Sequence, residues 1–390
     1  MIVAAALCSM PAFAQLTAEL QKNSLPIVWR DNDVSGPGAD LLDRELATTQ
    51  FFLIGEDHGS AESANVASAL LRRGRQHGYR HLAMEVGSIT IERLLADPKS
   101  VPAMAKRYPW AFSFLQWKEE VDLFETAVNL HDSVWGLDQE FVLSPEFHLE
   151  RLRSVAKSEE ARRTVDSLLE RVRTGDREMV AKHNPMAIFF ASATAADFAA
   201  LRKAFPNNRT VDELEESWKI YNLNFHGEYW QNNFDRSLMM RRHFREHYDA
   251  AVAAGERHPK VLLKFGASHM MRGRSIAGVY DLGTYLPEIG QGSFQLLIVF
   301  GGGFVNAHRP FSLNDDDRRA PYHVKYENVD LAPVAAAATG SDWLLVDLRP
   351  MRPLLAANKL GTIAPPLLSV LWGFDAILII PEASPATLIE

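Results

Sequence analysis

Four apolar runs along the chain each lead into acidic or imidazole side chains: Phe51-Phe-Leu-Ile-Gly-Glu-Asp-His58, His81-Leu-Ala-Met-Glu-Val86, Val134-Trp-Gly-Leu-Asp-Gln-Glu140 and Val261-Leu-Leu-Lys-Phe-Gly-Ala-Ser-His269. Short unbroken apolar runs bounded by turn residues predict strands covered on both faces, the habit of a parallel sheet. Between the first two runs, a polar start at Ser60 and Glu62, apolar Val66, Leu70 and Leu71, and a stop at Gly78 predict a helix within 57–78. Further strands are expected at Phe294 to Phe300, Trp343 to Leu348 and Phe374 to Ile380. Positions 145–255 read as almost wholly helical, and the last long helix runs from Tyr229 to Ala254. The pattern predicts an α/β fold: a mainly parallel central sheet flanked by helices, with a helical insertion at about 145–255 forming a cap.

In an open parallel sheet, reacting groups gather beyond the carboxyl ends of the strands. If the four runs are neighbours, Glu56, His58, Glu85, Asp138, Glu140 and His269 share one pocket. Gly55-Glu-Asp-His-Gly-Ser60 is also readable as a capping turn in which Asp57 or Ser60 caps and His58 is solvated. The same Gly-x-x-His spacing recurs at Gly266-Ala-Ser-His269, and the repetition favours chemistry. Glu85 directly follows an apolar strand, so it needs a cationic partner; a structural salt bridge to Arg93 or Arg73 is the alternative to a site. Of Asp138 and Glu140, one is expected to face the pocket and the other a loop backbone. The aromatic cluster Tyr108 to Trp117 is assigned to the core.

Composition narrows the class. Of 390 residues, 47% are hydrophobic and 23% charged, which excludes a disordered chain, and a net charge of -8 argues against a nucleic-acid partner. Residues 1–14, apolar from Ile2 and ending in Ala12-Phe-Ala14, read as a signal peptide and predict a periplasmic or secreted protein. Cleavage after Ala14 would remove Cys8, the one cysteine. The remainder, 15–390, is read as a single domain, and no later apolar run is long enough to span a membrane.

These residues resemble the superfamily that joins erythromycin esterases, ChaN-like haem-binding uptake proteins and the TIKI/TraB group. Gly55-Glu-Asp-His-Gly-Ser60 is similar to the esterases' first turn, with one residue fewer between Glu and His, the spacing of the ChaN-like and TIKI-like Gly-x-x-His. Leu82-Ala-Met-Glu-Val86 resembles the second strand, Gly136-Leu-Asp138 the third, Arg236-Ser-Leu-Met-Met240 the Arg-x-x-x-Met helix and Gly266-Ala-Ser-His269 the closing turn. The ordered set covers most of the chain. It implies hydrolysis of an ester or related acyl bond in a small-molecule substrate by activated water, with His58 as base, oriented by Glu56 or Glu85, and Arg236 and His269 as oxyanion stabilisers. Asp138 joins them. No Gly-x-Ser-x-Gly elbow is present near the strand ends, so no serine nucleophile is expected.

A metal-assisted version would use His58, His269 and Glu56 or Glu85 as ligands of a divalent ion. The alternative from another class is a ChaN-like haem- or iron-binding periplasmic protein, with Tyr108, Trp110, His226, Tyr229 and Trp230 as the available aromatic and ligating groups. Gly301-Gly-Gly303 lacks the lysine of a phosphate loop, and Asp315 to Arg319 lacks calcium-loop spacing. His131, His243, His247 and His258 are read as surface or capping residues.

Overall fold

The computed structural model describes residues 14–307, 309, 311–312, 320–324, 330–338 and 342–389. The leader-like residues 1–13 and the acidic run 315–319 lie outside them.

Nine strands make one sheet: β1 Ser24–Arg30, β2 Asp33–Ser35, β3 Phe51–Glu56, β4 Tyr79–Gly87, β5 Ser133–Asp138, β6 Lys260–Gly266, β7 Ser293–Phe300, β10 Trp343–Asp347 and β11 Ala376–Ile380. A small separate pair, β8 Phe304–Val305 and β9 Tyr322–His323, stands apart. The order across the large sheet is β2-β1-β10-β11-β7-β3-β6-β4-β5. From β11 to β5 every neighbour is parallel, whereas β10, β1 and β2 extend the β11 side in antiparallel fashion. The fold is therefore α/β with a mainly parallel sheet, and β1 and β2 are strands that the sequence pattern does not anticipate.

The apolar runs are continuous because both faces of the sheet are covered. Along β3, Phe52 and Ile54 pack with helices Ala61–Gly74 and Lys118–Asn129, while Phe51 and Leu53 pack on the other side with helices Tyr229–Ala253, Leu282–Ile289 and Pro365–Gly373. Each such fully buried side chain contributes roughly 1.5–3 kcal/mol. Residues 145–253 are mostly helical, and the helices Pro145–Val155, Glu159–Lys182, Ala195–Ala204 and Arg209–Phe225 share a core of their own. Among the described residues no helix is long and apolar enough to cross a membrane.

Strand register brings the future site to one level. Glu56 pairs with Gly266 and Met84 with Lys264, so β3, β6 and β4 end together. Between Met84 and Gly87 the pairing of β4 with β5 slips by one residue, a bulge at Glu85 and Val86. Bulges re-aim side chains and terminate pairing at such places. The turn after β3 is fixed by Gly59, whose φ is 92° and whose carbonyl accepts from Asn306 and Ala386. Ser60 then caps helix Ala61–Gly74 by accepting from the Ser63 N–H.

A Cβ at Gly59 would stand 2.2 Å from the Asn306 carbonyl oxygen. Gly59→Ala is therefore expected to destabilise the fold by at least about 1–2 kcal/mol through left-handed backbone strain alone. Urea unfolding followed by circular dichroism measures it; an unchanged midpoint would remove this turn from the list of structural anchors.

Candidate active site

Buried carboxylates at strand ends must be answered by cations or N–H donors, and here each one is. Glu85, at the β4 bulge, accepts from Arg236 Nη2 through Oε1 at 2.8 Å and from the Gly266 N–H through Oε2 at 2.7 Å. Arg236 projects from helix Tyr229–Ala253 and forks onto Asp138 at the end of β5, with Nε to Oδ1 at 2.8 Å and Nη2 to Oδ2 at 2.6 Å. Bidentate pairing of this kind fixes the guanidinium plane. Arg73 and Arg93 are engaged elsewhere, Arg73 with Asp33 and Asp43, Arg93 with the Phe147 carbonyl.

Two histidines face Glu85 from opposite sides. His58 Nε2 stands 3.5 Å from Oε2, and His269 Nε2 stands 3.4 Å from Oε1. Each ring is held from behind at Nδ1 by its own carboxylate: His58 by Glu56 at 2.9 Å and His269 by Asp281 at 2.7 Å. Phe114 stacks on the His58 ring with centroids 4.0 Å apart. The His58 side chain is 31% exposed and is the most open group of the cluster, while Glu56 is at 1%. Gly266 admits this packing, because a Cβ there would lie 2.8 Å from His58 Nε2.

Behind the site, Lys264 of β6 bonds both Glu56 and Glu120, and all three side chains are buried. Glu140 lies apart from the pocket. Its carboxylate accepts from the N–H groups of Ile89 and Thr90 at the start of helix Ser88–Ala96, and pairs with buried His148 at 2.8 Å. Asp138 thus faces the pocket, and Glu140 binds backbone.

The electrostatics follow from these contacts. Burial works against the charge of Glu85, but His269, His58 and Arg236 outweigh it and hold its carboxyl well below the usual carboxylate range. Burial likewise disfavours a charged His269, yet Asp281 and Glu85 push its imidazolium up to about 10. His58 is moved upward by Glu85 and Glu56 against burial. Burial opposes the charge of Glu56, and Lys264 and His58 reverse that and lower it. Glu120 is raised by burial, with Glu56 adding to the effect. Arg236 is held fully charged by Asp138 and Glu85 despite burial.

The six candidate catalytic groups, Glu56, His58, Glu85, Asp138, Arg236 and His269, meet here, whereas Glu140, expected with them beyond the strand ends, does not. Lys264, Glu120, Asp281 and Phe114 belong to the same cluster and were not singled out from the sequence; a lysine inside the run Val261 to Phe265 is the signal that could have found the first. Phe114 departs from the core assignment of its aromatic cluster, whereas Tyr108, Phe112 and Trp117 are buried. His243 also departs from its reading: it is buried, with Nδ1 at 2.8 Å from the Leu137 carbonyl and Nε2 at 3.0 Å from Glu213. His131 and His258 are exposed, and His247 stacks on Trp135.

The donors do not fit a three-ligand divalent ion as they stand. Glu56 Oε1 is committed to Lys264 and His58, and both oxygens of Glu85 are committed to Arg236 and Gly266, which leaves Glu56 Oε2 as the one carboxylate oxygen of the two residues without a partner. Among the described residues no group of three His, Cys, Asp or Glu has metal-holding geometry.

Solved structures sharing this fold include a Bacillus cereus protein, at 16% identity over 96% of this chain and 99% of that one, TM-score 0.57. A succinoglycan biosynthesis protein matches at 14% identity over 97% and 98%, TM-score 0.58. A mutant of the erythromycin esterase EreC in its open conformation matches at 16% identity over 90% and 95%, TM-score 0.53. The chain therefore has the erythromycin esterase-like fold that its motifs imply. No family model and no curated protein sequence matches it.

Arg236→Met would strand Glu85 and Asp138 without their cation, at an expected loss of about 3–5 kcal/mol at neutral pH. The lowered carboxyl of Glu85 stabilises the fold above its unfolded value and ceases to do so as pH falls through its lower folded value. The gap between variant and wild type should accordingly be widest at neutral pH and narrower at an acidic pH below the ordinary carboxylate range. Urea unfolding at the two pH values tests this, and a gap independent of pH would contradict it.

Proposed function

We propose that the protein is a hydrolase that cleaves an ester or related acyl bond with a water molecule activated at His58. The observation that carries this reading is the paired arrangement: two histidines, each oriented at Nδ1 by its own carboxylate, present Nε2 to one shared space beside Glu85 and Arg236. With Nδ1–H bound to Glu56, neutral His58 carries its lone pair at Nε2, the nitrogen beside Glu85. It takes a proton from water as the oxygen attacks the acyl carbon. The oxyanion that forms is then met by His269, which its neighbours keep protonated, and by Arg236. Donors aimed at developing charge are worth about 3–4 kcal/mol each in well-characterised sites. His58, having accepted the proton, passes it to the leaving alkoxide as the tetrahedral intermediate collapses, and water and ester are converted to acid and alcohol.

The erythromycin esterase among the structures of like fold supports an ester as the first substrate class to test. We also place the protein outside the cytoplasm, on the leader-like residues 1–14; N-terminal sequencing of the protein recovered from the periplasm, beginning at Gln15, is the outcome expected.

The second reading, haem or iron binding, draws on His226, Tyr229 and Trp230, which are all exposed around the start of helix Tyr229–Ala253. Tyr108 is buried and offers no ligand there. A Soret band in purified protein mixed with haem, together with no hydrolysis across an ester panel, would favour it.

Two outcomes follow for the hydrolase. His58 acts unprotonated, so the rate falls as pH drops through its folded value, above 6.5; His269 acts protonated, so the rate falls as pH rises through about 10. A bell-shaped kcat/KM profile between these limbs is expected. His58→Ala and His269→Ala should each reduce kcat/KM by at least about a hundredfold with the fold intact by circular dichroism. Unchanged turnover in both would overturn the assignment of this site.

A further inference from the structure

A lysine in the middle of a buried strand demands an explanation, because desolvating an ammonium is costly unless it is fully paired. Lys264 is 4% exposed, on β6 between Leu263 and Phe265, where the strand pattern would otherwise place an apolar residue. Its ammonium reaches two carboxylates. One is Glu56 Oε1, the same oxygen that faces His58 Nδ1; the other is Glu120 Oε1, in the first turn of helix Lys118–Asn129. None of the three side chains Lys264, Glu120 and Glu56 is open to solvent, so no ligand reaches Lys264 or Glu120 directly.

We infer that Lys264, tethered by Glu120, is a positioning residue that fixes the Glu56 carboxylate against His58 Nδ1 and thereby sets which ring nitrogen of His58 carries the proton. The inference rests on the proposed role of His58 as base. An acceptor that can rotate would let His58 carry its proton on either nitrogen, and the tautomer with Nε2–H has no lone pair at the nitrogen proposed to act as base. A carboxylate shared with an immobile ammonium cannot rotate without breaking a buried ion pair. Glu120 keeps the ammonium in place: it lies on a different element from Glu56, so Lys264 is held between helix Lys118–Asn129 and strand β3. The chain Glu120–Lys264–Glu56–His58 thus runs from the covered face of the sheet to the pocket.

Lys264→Met keeps the length and packing of the side chain and removes its charge. In this variant kcat should fall by at least about tenfold, a fraction of what general-base catalysis typically supplies, with KM within about twofold. Because Lys264 acts through Glu56, adding Lys264→Met to Glu56→Gln should cost less than about twofold more. Nitrogen-15 NMR of imidazole-labelled protein gives the readout that a merely structural role would not move. The wild type should show His58 with Nδ1–H and an unprotonated Nε2, and Lys264→Met a mixture of the two tautomers. If Lys264→Met fails to fold, Glu120→Gln tests the same chain and should broaden the Nδ1–H resonance. A folded Lys264→Met with kcat within about twofold of wild type and an unaltered tautomer would overturn the inference, as would a Glu120→Gln spectrum identical to wild type. Should the wild type turn over no ester, the hydrolase reading falls, and the NMR comparison alone decides whether the clamp exists.

Discussion

Glu85 is the constraint around which the site is arranged. It is a carboxylate at the end of an apolar strand, 6% exposed, and burial without compensation would force a proton onto it. The fold instead brings four groups to it: Arg236 from a helix 151 residues away in sequence, a backbone N–H from Gly266, and the two imidazoles. Each of these then needs its own support. Arg236 leans on Asp138, His58 on Glu56, His269 on Asp281, and Glu56 on Lys264 and Glu120. The result is a network in which nearly every buried charge has at least one opposite charge in contact.

The helix Tyr229–Ala253 is what makes this network possible. Its buried stripe of Met239, Met240, His243 and Phe244 packs against the sheet, and Arg236 lies one turn before it on the same side. The guanidinium is therefore delivered by ordinary helix packing and not by a loop. His243, one turn beyond Met239, is tied to the Leu137 carbonyl and to Glu213, which anchors the helix directly beneath the end of β5 where Asp138 stands.

Much of this was legible in the chain. Unbroken apolar runs such as Phe51 to Ile54 and Val261 to Leu263 announce strands covered on both faces, and polar groups placed just past them announce where a pocket opens. What could not be read is orientation and long-range pairing. The run Trp343 to Asp347 looks like any other strand, yet it is antiparallel to β11, and nothing local distinguishes the two cases. β1, Ser24-Leu-Pro-Ile-Val-Trp-Arg30, carries an apolar run, but Pro26 inside it argues against a strand and Val28 is exposed, as suits a strand outside the parallel core. Asp281 has no sequence relation to His269 beyond lying in the following turn. Glu120 looks like one more acid at a helix start, and only the tertiary fold shows that it faces Lys264.

The position of β6 has a consequence for how the molecule is made. It inserts between β3 and β4, and its Lys264 contacts Glu56 across 208 residues of sequence. Until that strand arrives, β3 and β4 are separated by a gap two strand spacings wide, about 10 Å, and neither inner edge has a hydrogen-bonding partner. A ribosome that has released β3, β4 and β5 has therefore supplied partners only for β4 and β5, while β3 waits for both of its neighbours, β6 and β7, and the helices between β5 and β6 must return the chain to fill the slot beside β4. Contacts of such range are slow to form and leave sticky edges open in the meantime. The same strand that closes the slot carries the lysine behind Glu56 and leads straight into His269. The arrival of β6 is consequently required both for the sheet to close and for the pocket to be complete.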